Sequence, residues 1–293
     1  MISLENVSKK FGTGVFAITD VSFSVEKGEF IFLVGPTGSG KTTIFRLLIR
    51  EMIPSSGTIV VSSWDLVKLP SKKIPDLRKK IGVVFQDLKL LNDRTVIENV
   101  MLPLEVAGMK PKEAVARTEE VLNQVGILEH RDKFPVQLSG GELQRTAIAR
   151  ALILSPEILL ADEPTGNLDD VTAFEIVKLL SDINEKGTTI LMATHNKEIV
   201  RKLNKRIIEL NKGSVIDDKK HVKSDKEHKK EEHEEKPSDA KAMDGKEEEK
   251  EYKKHQKHEK EDKSLSSNEE KEAVEPKEEE LKTDEFEEAL KKE

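Results

Sequence analysis

The sequence predicts an α/β fold: strands of a parallel sheet alternating with helices that cover its faces. Three observations predict it. A glycine-rich loop, Gly35-Pro36-Thr37-Gly38-Ser39-Gly40-Lys41-Thr42, joins a short apolar run to a segment with apolar residues at helical spacing. Further on, short apolar runs keep alternating with segments of helical period. One of those runs, Ile158-Leu159-Leu160-Ala161, ends abruptly in two carboxylates, Asp162 and Glu163.

Taken in order, the first thirty residues read as strands. Val21, Phe23 and Val25 alternate with Ser22, Ser24 and Glu26, the period of a half-buried strand. Phe30-Ile31-Phe32-Leu33-Val34 is uninterrupted and short, as a buried strand should be, and Ile44-Phe45-Arg46-Leu47-Leu48-Ile49 takes up the helical period. Ser55-Ser56-Gly57 is a turn and Thr58-Ile59-Val60-Val61 a short strand. Ile81-Gly82-Val83-Val84-Phe85 reads as a buried strand that ends at Gln86. From about Thr95 to Glu129 the period is helical, with Ala114, Val115, Thr118, Val121, Leu122 and Val125 on one face. A second helix runs from Gly141 to about Leu154 and buries Leu143, Ala147, Ile148, Ala151 and Leu152. Thr189-Ile190-Leu191-Met192-Ala193 is strand-like, and Phe174, Val177, Leu179, Leu180 and Ile183 mark the crossover helix before it.

The glycine-rich loop fits G-x-x-x-x-G-K-[ST] in its required strand–loop–helix setting. Glycines let the backbone wrap a polyphosphate with N–H groups pointing inward, and the helix N-terminus adds partial positive charge. Lys41 is placed to reach the β- and γ-phosphates, and the Thr42 hydroxyl to bind Mg²⁺; Thr43 completes the set. The loop therefore predicts nucleotide binding. A carboxylate at a strand end opposite such a loop suits Mg²⁺, which assigns Asp162, while Glu163 can take a proton from an attacking water or orient it. On their own, two acids before Pro164 are a solvated turn; Lys41 in the same chain changes that reading. Leu138-Ser139-Gly140-Gly141-Glu142 opens a helix whose Ser N-cap and glycines make a second anion site, or an ordinary capped helix.

In this order the phosphate loop, Gln86, Leu138-Ser139-Gly140-Gly141-Glu142, Ala161-Asp162-Glu163-Pro164 and Ala193-Thr194-His195 resemble the nucleotide-binding subunits of ABC transporters, over about residues 1 to 216. Within that family, Gln86-Asp87, Leu90-Leu91-Asn92-Asp93-Arg94-Thr95-Val96, Glu98-Asn99-Val100, Phe134-Pro135-Val136-Gln137 and Thr165-Gly166-Asn167-Leu168-Asp169-Asp170 resemble the FtsE group of cell-division ATPases. The resemblance implies a P-loop NTPase of the ABC type: a parallel core sheet, an antiparallel β subdomain and a helical subdomain at about 88–155. It implies ATP and Mg²⁺, with Phe11 stacking on adenine; read alone, Phe11 is a core aromatic near the sheet edge. Gln86 would touch Mg²⁺ or the attacking water and sense the γ-phosphate. His195 would contact the γ-phosphate and align Glu163 with the water.

Two copies would then pack head to tail around two ATP molecules. Each nucleotide would be held by Lys41 and Thr42 of one copy and by Ser139, Gly140, Gly141 and Glu142 of the other, with Asp169 at the seam. An integral membrane partner of the FtsX type would be engaged by about residues 87–108, with Leu88, Leu90 and Leu91 as apolar contacts or simple core. The chain would act peripherally on the cytoplasmic face of the membrane. The motor of a lipoprotein or macrolide exporter, which shares Thr165-Gly166-Asn167-Leu168-Asp169, and an ATP-gated scaffold are alternatives.

The 293 residues divide in composition. Up to Ile216 the charges nearly cancel, at about +2, whereas from Asp217 on Lys and Glu dominate and the net is about −9. The formal charge of −7 therefore belongs to a tail at 217–293, which lacks the apolar content to fold and is expected to be disordered. Five of the seven histidines lie there, more simply solvated than metal-binding, and Asp284, Phe286, Glu287 and Leu290 outline a short capped helix. A net acidic tail argues against nucleic acid as a partner. With no cysteine, disulfides and thiolate metal sites are excluded. The N-terminus has no signal-peptide layout and no apolar run reaches membrane-spanning length, so a soluble chain is expected.

Overall fold

The computed structural model describes residues 1–12 and 14–219. The chain opens with β1 (Ile2–Lys10) and β2 (Phe16–Val25), which pair antiparallel, and β1 also pairs antiparallel with β4 (Ser56–Val61). With the two-residue β5 (Trp64–Asp65) these form a four-stranded sheet in the order β2-β1-β4-β5. Along β2 the expected alternation holds: Val21, Phe23 and Val25 are buried and the residues between them exposed.

The second sheet is the core. It contains β3 (Phe30–Val34), β6 (Ile81–Val84), β7 (Ile158–Asp162), β8 (Thr189–Thr194), β9 (Arg206–Asn211) and β10 (Ser214–Lys219). Their order is β10-β9-β3-β8-β7-β6, and every neighbouring pair is parallel except β9–β10. β3 is buried on both faces, which explains its unbroken apolar run. Ile31 and Leu33 face a cluster containing α1 (Lys41–Leu48) and the antiparallel sheet; Phe30 and Phe32 face the helices on the other side.

Those helices are α3 (Val96–Val106), α4 (Pro111–Gln124), α5 (Gly140–Leu152) and α6 (Asp170–Glu185), while α2 (Ile74–Lys79) leads into β6 and α7 (Lys197–Leu203) follows β8. The single helical stretch expected over 95–129 is two helices broken at Ala107-Gly108, where Gly108 takes the left-handed conformation. Thr95 and Glu98 close a capping box that starts α3. Not every residue expected inside is fully so. Phe174 is 44% exposed on α6 with Lys202 Nζ 5.6 Å from its ring centroid, and Val115, Leu143 and Ala151 are half-buried.

The ordered sheet runs three residues past the expected boundary at Ile216. Arg206, only 6% exposed, gives the reason. Its Nε and Nη2 donate to the two carboxylate oxygens of Asp218 at 2.8 and 2.7 Å; Nη1 donates to Glu29 Oε1 and to the Ser24 carbonyl, both at 2.9 Å. The Asp218 bonds, and then those of Glu29, hold the guanidinium above its ordinary pKa against the cost of burial. Apart from Asp217, Asp218 and Lys219, the expected tail lies outside the described residues, including His221, His228, His233, His255, His258 and the segment from Asp284 to Leu290.

Arg206→Ala should destabilise the fold by about 3 kcal/mol, the low end for losing one partner of a buried pair, since the carboxylates keep some water. That lowers the melting temperature by about 6–12 °C for a domain of this size. Ending the chain after Ile216 should produce a drop of the same kind, and ending it after Asp225 none; calorimetry of the three proteins checks this.

Candidate functional site

The parallel register collects the predicted residues at one edge. Val34 of β3 is paired with Thr194 of β8, Ala193 of β8 with Asp162 of β7, and Ala161 of β7 with Val84 of β6. The residues that follow these strand ends, Gly35, His195, Glu163 and Gln86, therefore emerge side by side. This carboxyl edge is where open α/β sheets bind ligands.

The loop after β3 is tight. A Cβ on Gly35 would sit 2.3 Å from the Leu210 carbonyl oxygen, and one on Gly40 would sit 2.6 Å from Ile18 Cγ2. Gly40, at φ 107°, is the N-cap of α1, and among the described residues no side chain caps that helix. Its first N–H groups are thus left facing the loop, the arrangement that favours an anion. Pro36, Thr37 and Gly38 form the exposed crest, whereas Ser39 is buried and its Oγ has no partner among the described residues. Thr42 is exposed beside Lys41, and Thr43 is half-buried. Lys41 is 7% exposed, and its ammonium donates to the Gly35 and Pro36 carbonyls at 2.8 and 3.2 Å. Glu163 Oε1 lies 3.6 Å from the same nitrogen.

Glu163 follows β7 in a left-handed conformation, φ 49°, with its N–H donated to the Ala193 carbonyl. This turns its side chain along the strand ends. Glu163 Oε2 accepts the His195 backbone N–H at 3.3 Å and lies 2.9 Å from His195 Nδ1, so one carboxylate joins the loop lysine to the histidine after β8.

Asp162 is buried, 6% exposed, and its Oδ1 has no partner among the described residues. Burial pushes its carboxyl above the usual range and the charge of Glu163 adds to this; a hydrogen bond with Thr42 and the charges of Lys41 and Arg46 oppose it. Thr42, Gln86 and Asp162 line one cavity of about 430 Å³, with Arg46 and Asn167 at its side. Among the described residues no three His, Cys, Asp or Glu side chains cluster tightly enough to hold a metal by themselves. One carboxylate, one hydroxyl and one amide do fit Mg²⁺, which takes few protein oxygens and fills its octahedron with water and substrate phosphate.

The capped helix start expected at Ser139 is formed. Ser139 caps α5, and Glu142 completes the box: its Oε2 accepts the Ser139 N–H at 2.6 Å and the Ser139 hydroxyl at 2.9 Å. Glu142 Oε1 lies 2.9 Å from His130 Nε2. Ser139, Gly140, Gly141, Glu142 and Asp169 line a cavity of about 330 Å³. Asp169 caps α6, accepting from the Val171 and Thr172 N–H groups and the Thr172 hydroxyl. A Cβ on Gly141 would lie 2.6 Å from Thr172 Cγ2, so this glycine is also required for α5 to meet the start of α6.

Phe11 is 42% exposed and is not a core aromatic. It follows β1 in the β1–β2 connection, and the β2 arm touches Gly40 through Ala17 and Ile18. Asn167 lines both cavities, a position that sequence reasoning did not single out because a lone Asn in a turn carries no periodic or spacing signal.

Comparison with known proteins identifies the family. Residues 18–166 match the family described as ABC transporter. The chain is similar to the cell division ATP-binding protein FtsE of Bacillus subtilis (strain 168), 46% identical over 216 residues that span 74% of this chain and 95% of the relative. It is 47% identical to the FtsE of Mycobacterium tuberculosis over 218 residues, 74% of this chain and 94% of the relative. A dimeric ATP-binding cassette in a post-hydrolysis state, bound to ADP and phosphate, superposes with a TM-score of 0.70 at 35% identity, over 76% of this chain and 99% of that one. A component of the ABC transporter complex CbiONQ from Clostridium perfringens gives 0.69 at 31% identity, over 74% and 87%. The chain belongs to the ABC transporter family, as an ATP-binding and ATP-hydrolysing subunit similar to FtsE.

Proposed function

We propose that the chain is the ATPase of a cell-division complex, in which two copies clasp two ATP molecules and transmit the resulting motion to an integral membrane partner of the FtsX type. The names of the relatives support the cellular role, and the dimeric cassettes among similar structures support the pairing. The observation that carries the chemistry is Glu163, held between Lys41 and His195 next to a buried Asp162.

In this reading the loop from Gly35 to Thr43 wraps the phosphates, Lys41 neutralises the β- and γ-oxygens, and Phe11 stacks on adenine. Thr42, Gln86 and Asp162 hold Mg²⁺, which supplies charge neutralisation at the phosphates. Glu163 takes the proton of the attacking water while His195 fixes its orientation. Ser139, Gly140, Gly141 and Glu142 of the facing copy meet the γ-phosphate through the start of α5, and Asp169 lies at the seam. ATP then joins the copies more strongly than ADP, because the terminal phosphate supplies charge to two helix N-termini at once.

Among the described residues no helix is long and apolar enough to cross a membrane; in this reading the chain sits peripherally on the cytoplasmic face through its membrane partner. The partner's docking element is assigned to the groove of about 580 Å³ behind Gln86, where Phe85, Lys89, Leu102, Pro103 and Arg150 meet. No contact with nucleic acid is proposed.

Glu163→Gln should keep ATP binding and lose turnover by about 10²–10⁴-fold, the usual worth of a general base. Near-normal turnover would remove Glu163 from that role. Lys41→Ala should weaken Mg-ATP binding; unchanged affinity by calorimetry would refute the loop assignment. Every residue assigned above precedes Lys219, so a chain ended after Asp225 should hydrolyse ATP at the full-length rate.

A further inference from the structure

The helix that begins at Ser139 also reaches the turn that carries Gln86. Arg150 lies about three turns along α5, and its guanidinium donates Nη1–H to the Lys89 carbonyl at 2.7 Å and Nη2–H to the Leu88 carbonyl at 2.5 Å. Those two residues are consecutive and both left-handed, φ 54° and 51°, a conformation that side chains other than glycine disfavour. The Leu88 N–H closes a turn onto the Phe85 carbonyl at 3.0 Å, with Gln86 and Asp87 at its corners. Lys89 folds its ammonium back over the Phe85 ring, 4.6 Å from the centroid. Beyond the turn, buried Asn99 binds Leu91 through both N–H and C=O and also holds the Arg94 and Thr95 carbonyls. The far side of the segment is thus anchored to α3 by Asn99, and the near side to α5 by the Arg150 fork.

Arg150 is half-buried, and among the described residues it makes no ion pair within 4.0 Å. Its planar fork is directed instead at two carbonyls, which stand side by side because their residues share the left-handed conformation. A fork matched to paired acceptors fixes orientation as well as distance. Without it, the strained pair is free to return to the right-handed region, and reversing φ at two residues re-aims the turn before them. Gln86 would move with it, whereas Lys41 is anchored within its own loop by the Gly35 and Pro36 carbonyls.

We propose that Arg150 is a positioning residue for ATP hydrolysis: it holds the Gln86 turn in register with the phosphate site and ties that turn to the helix whose N-terminus is Ser139. The proposal rests on the role assigned to Gln86 under the proposed function. It makes α5 a rigid link, anion site at one end and grip on the Gln86 turn at the other, so that displacement of the helix displaces the turn.

The test is a double-mutant cycle in the full-length chain with Gln86→Ala, Arg150→Met, Arg150→Lys and the two double variants, reading kcat and KM for ATP, Mg-ATP affinity and melting temperature. Arg150→Met should lower kcat by about 10²-fold, the scale of a misplacement near 1 Å, with a much smaller change in KM and Mg-ATP affinity, since Thr42, Asp162 and Lys41 stay in place. Arg150→Lys, which keeps a donor but not the fork, should lose less. Either Arg150 substitution should cost little more when Gln86 is already Ala, because the group it positions is gone. Losses that multiply in the double variants, or a fall in kcat that only tracks melting temperature, overturn the proposal. If Arg150→Met does not fold, the Lys arm of the cycle decides on the same criterion. If Gln86→Ala alone leaves kcat unchanged, the failure belongs to the Gln86 assignment, and the positioning role falls with it.

Discussion

The constraint on which the site depends is the parallel register of β3, β8 and β7. Residues from three distant parts of the chain converge only because Val34 stands beside Thr194 and Ala193 beside Asp162. A slip of one residue would move a strand end by about 3.3 Å, longer than the 2.9 Å between His195 and Glu163. It would also exchange the two faces of the slipped strand. On β3 that would set Phe30 and Phe32 against the packed cluster around α1 and the smaller Ile31 and Leu33 against the helices. Packing on both faces thus fixes the register, and the register fixes the chemistry.

Electrostatics at this edge are left unbalanced by the residue types gathered there. Asp162 and Glu163 are adjacent, and among the described residues Lys41 is the lysine or arginine within 4.0 Å of Glu163. A triphosphate would bring further negative charge to the same place, and a divalent cation held at Asp162 would relieve a repulsion that Lys41 alone cannot offset. Burial makes this sharper: the charged form of Asp162 is disfavoured while its Oδ1 lacks a partner, and a cation supplies one. The energetic logic of the proposed Mg²⁺ site is therefore in the carboxylate pair itself.

Much of this was legible in the sequence, and the exceptions have physical causes. The phosphate loop, the buried strands and the Ser139 cap follow from spacing and residue type, because each is a local rule. The break between α3 and α4 was not visible, since apolar residues continue on both sides of Gly108 and Pro103 sits inside a helix without ending it. Asp217, Asp218 and Lys219 look like the charged segment that follows them. Their place in a strand is decided by Arg206, 12 residues from Asp218 in sequence and joined to it across β9 and β10. Phe174 fits the apolar period of α6, yet its ring is partly exposed beneath Lys202. Asn99 is a buried polar residue in a helix, and its burial depends on partners at Leu91 and Arg94 that no periodicity encodes. Arg150 belongs to the same class: its two acceptors are 61 and 62 residues away.

The helix start at Ser139, the proposed second anion site, differs from the phosphate loop in being already satisfied. The Ser139 hydroxyl is engaged with Glu142, and Asp169 spends both carboxylate oxygens on the start of α6. A ligand presented by a facing copy must therefore exchange existing hydrogen bonds rather than fill open ones. Neutral exchange gains little, because a protein–protein bond is replaced by one of similar strength. The Ser139 hydroxyl and N–H already donate to a carboxylate, so the advantage of an anion would lie in the charge of the helix N-terminus and not in a stronger acceptor. Glu142 works against such a ligand: its carboxylate lies at the same helix start and repels an anion in proportion to that anion's charge. The capping box must therefore give way for the proposed pairing to form, and moving Glu142 off the Ser139 N–H and hydroxyl becomes part of its cost.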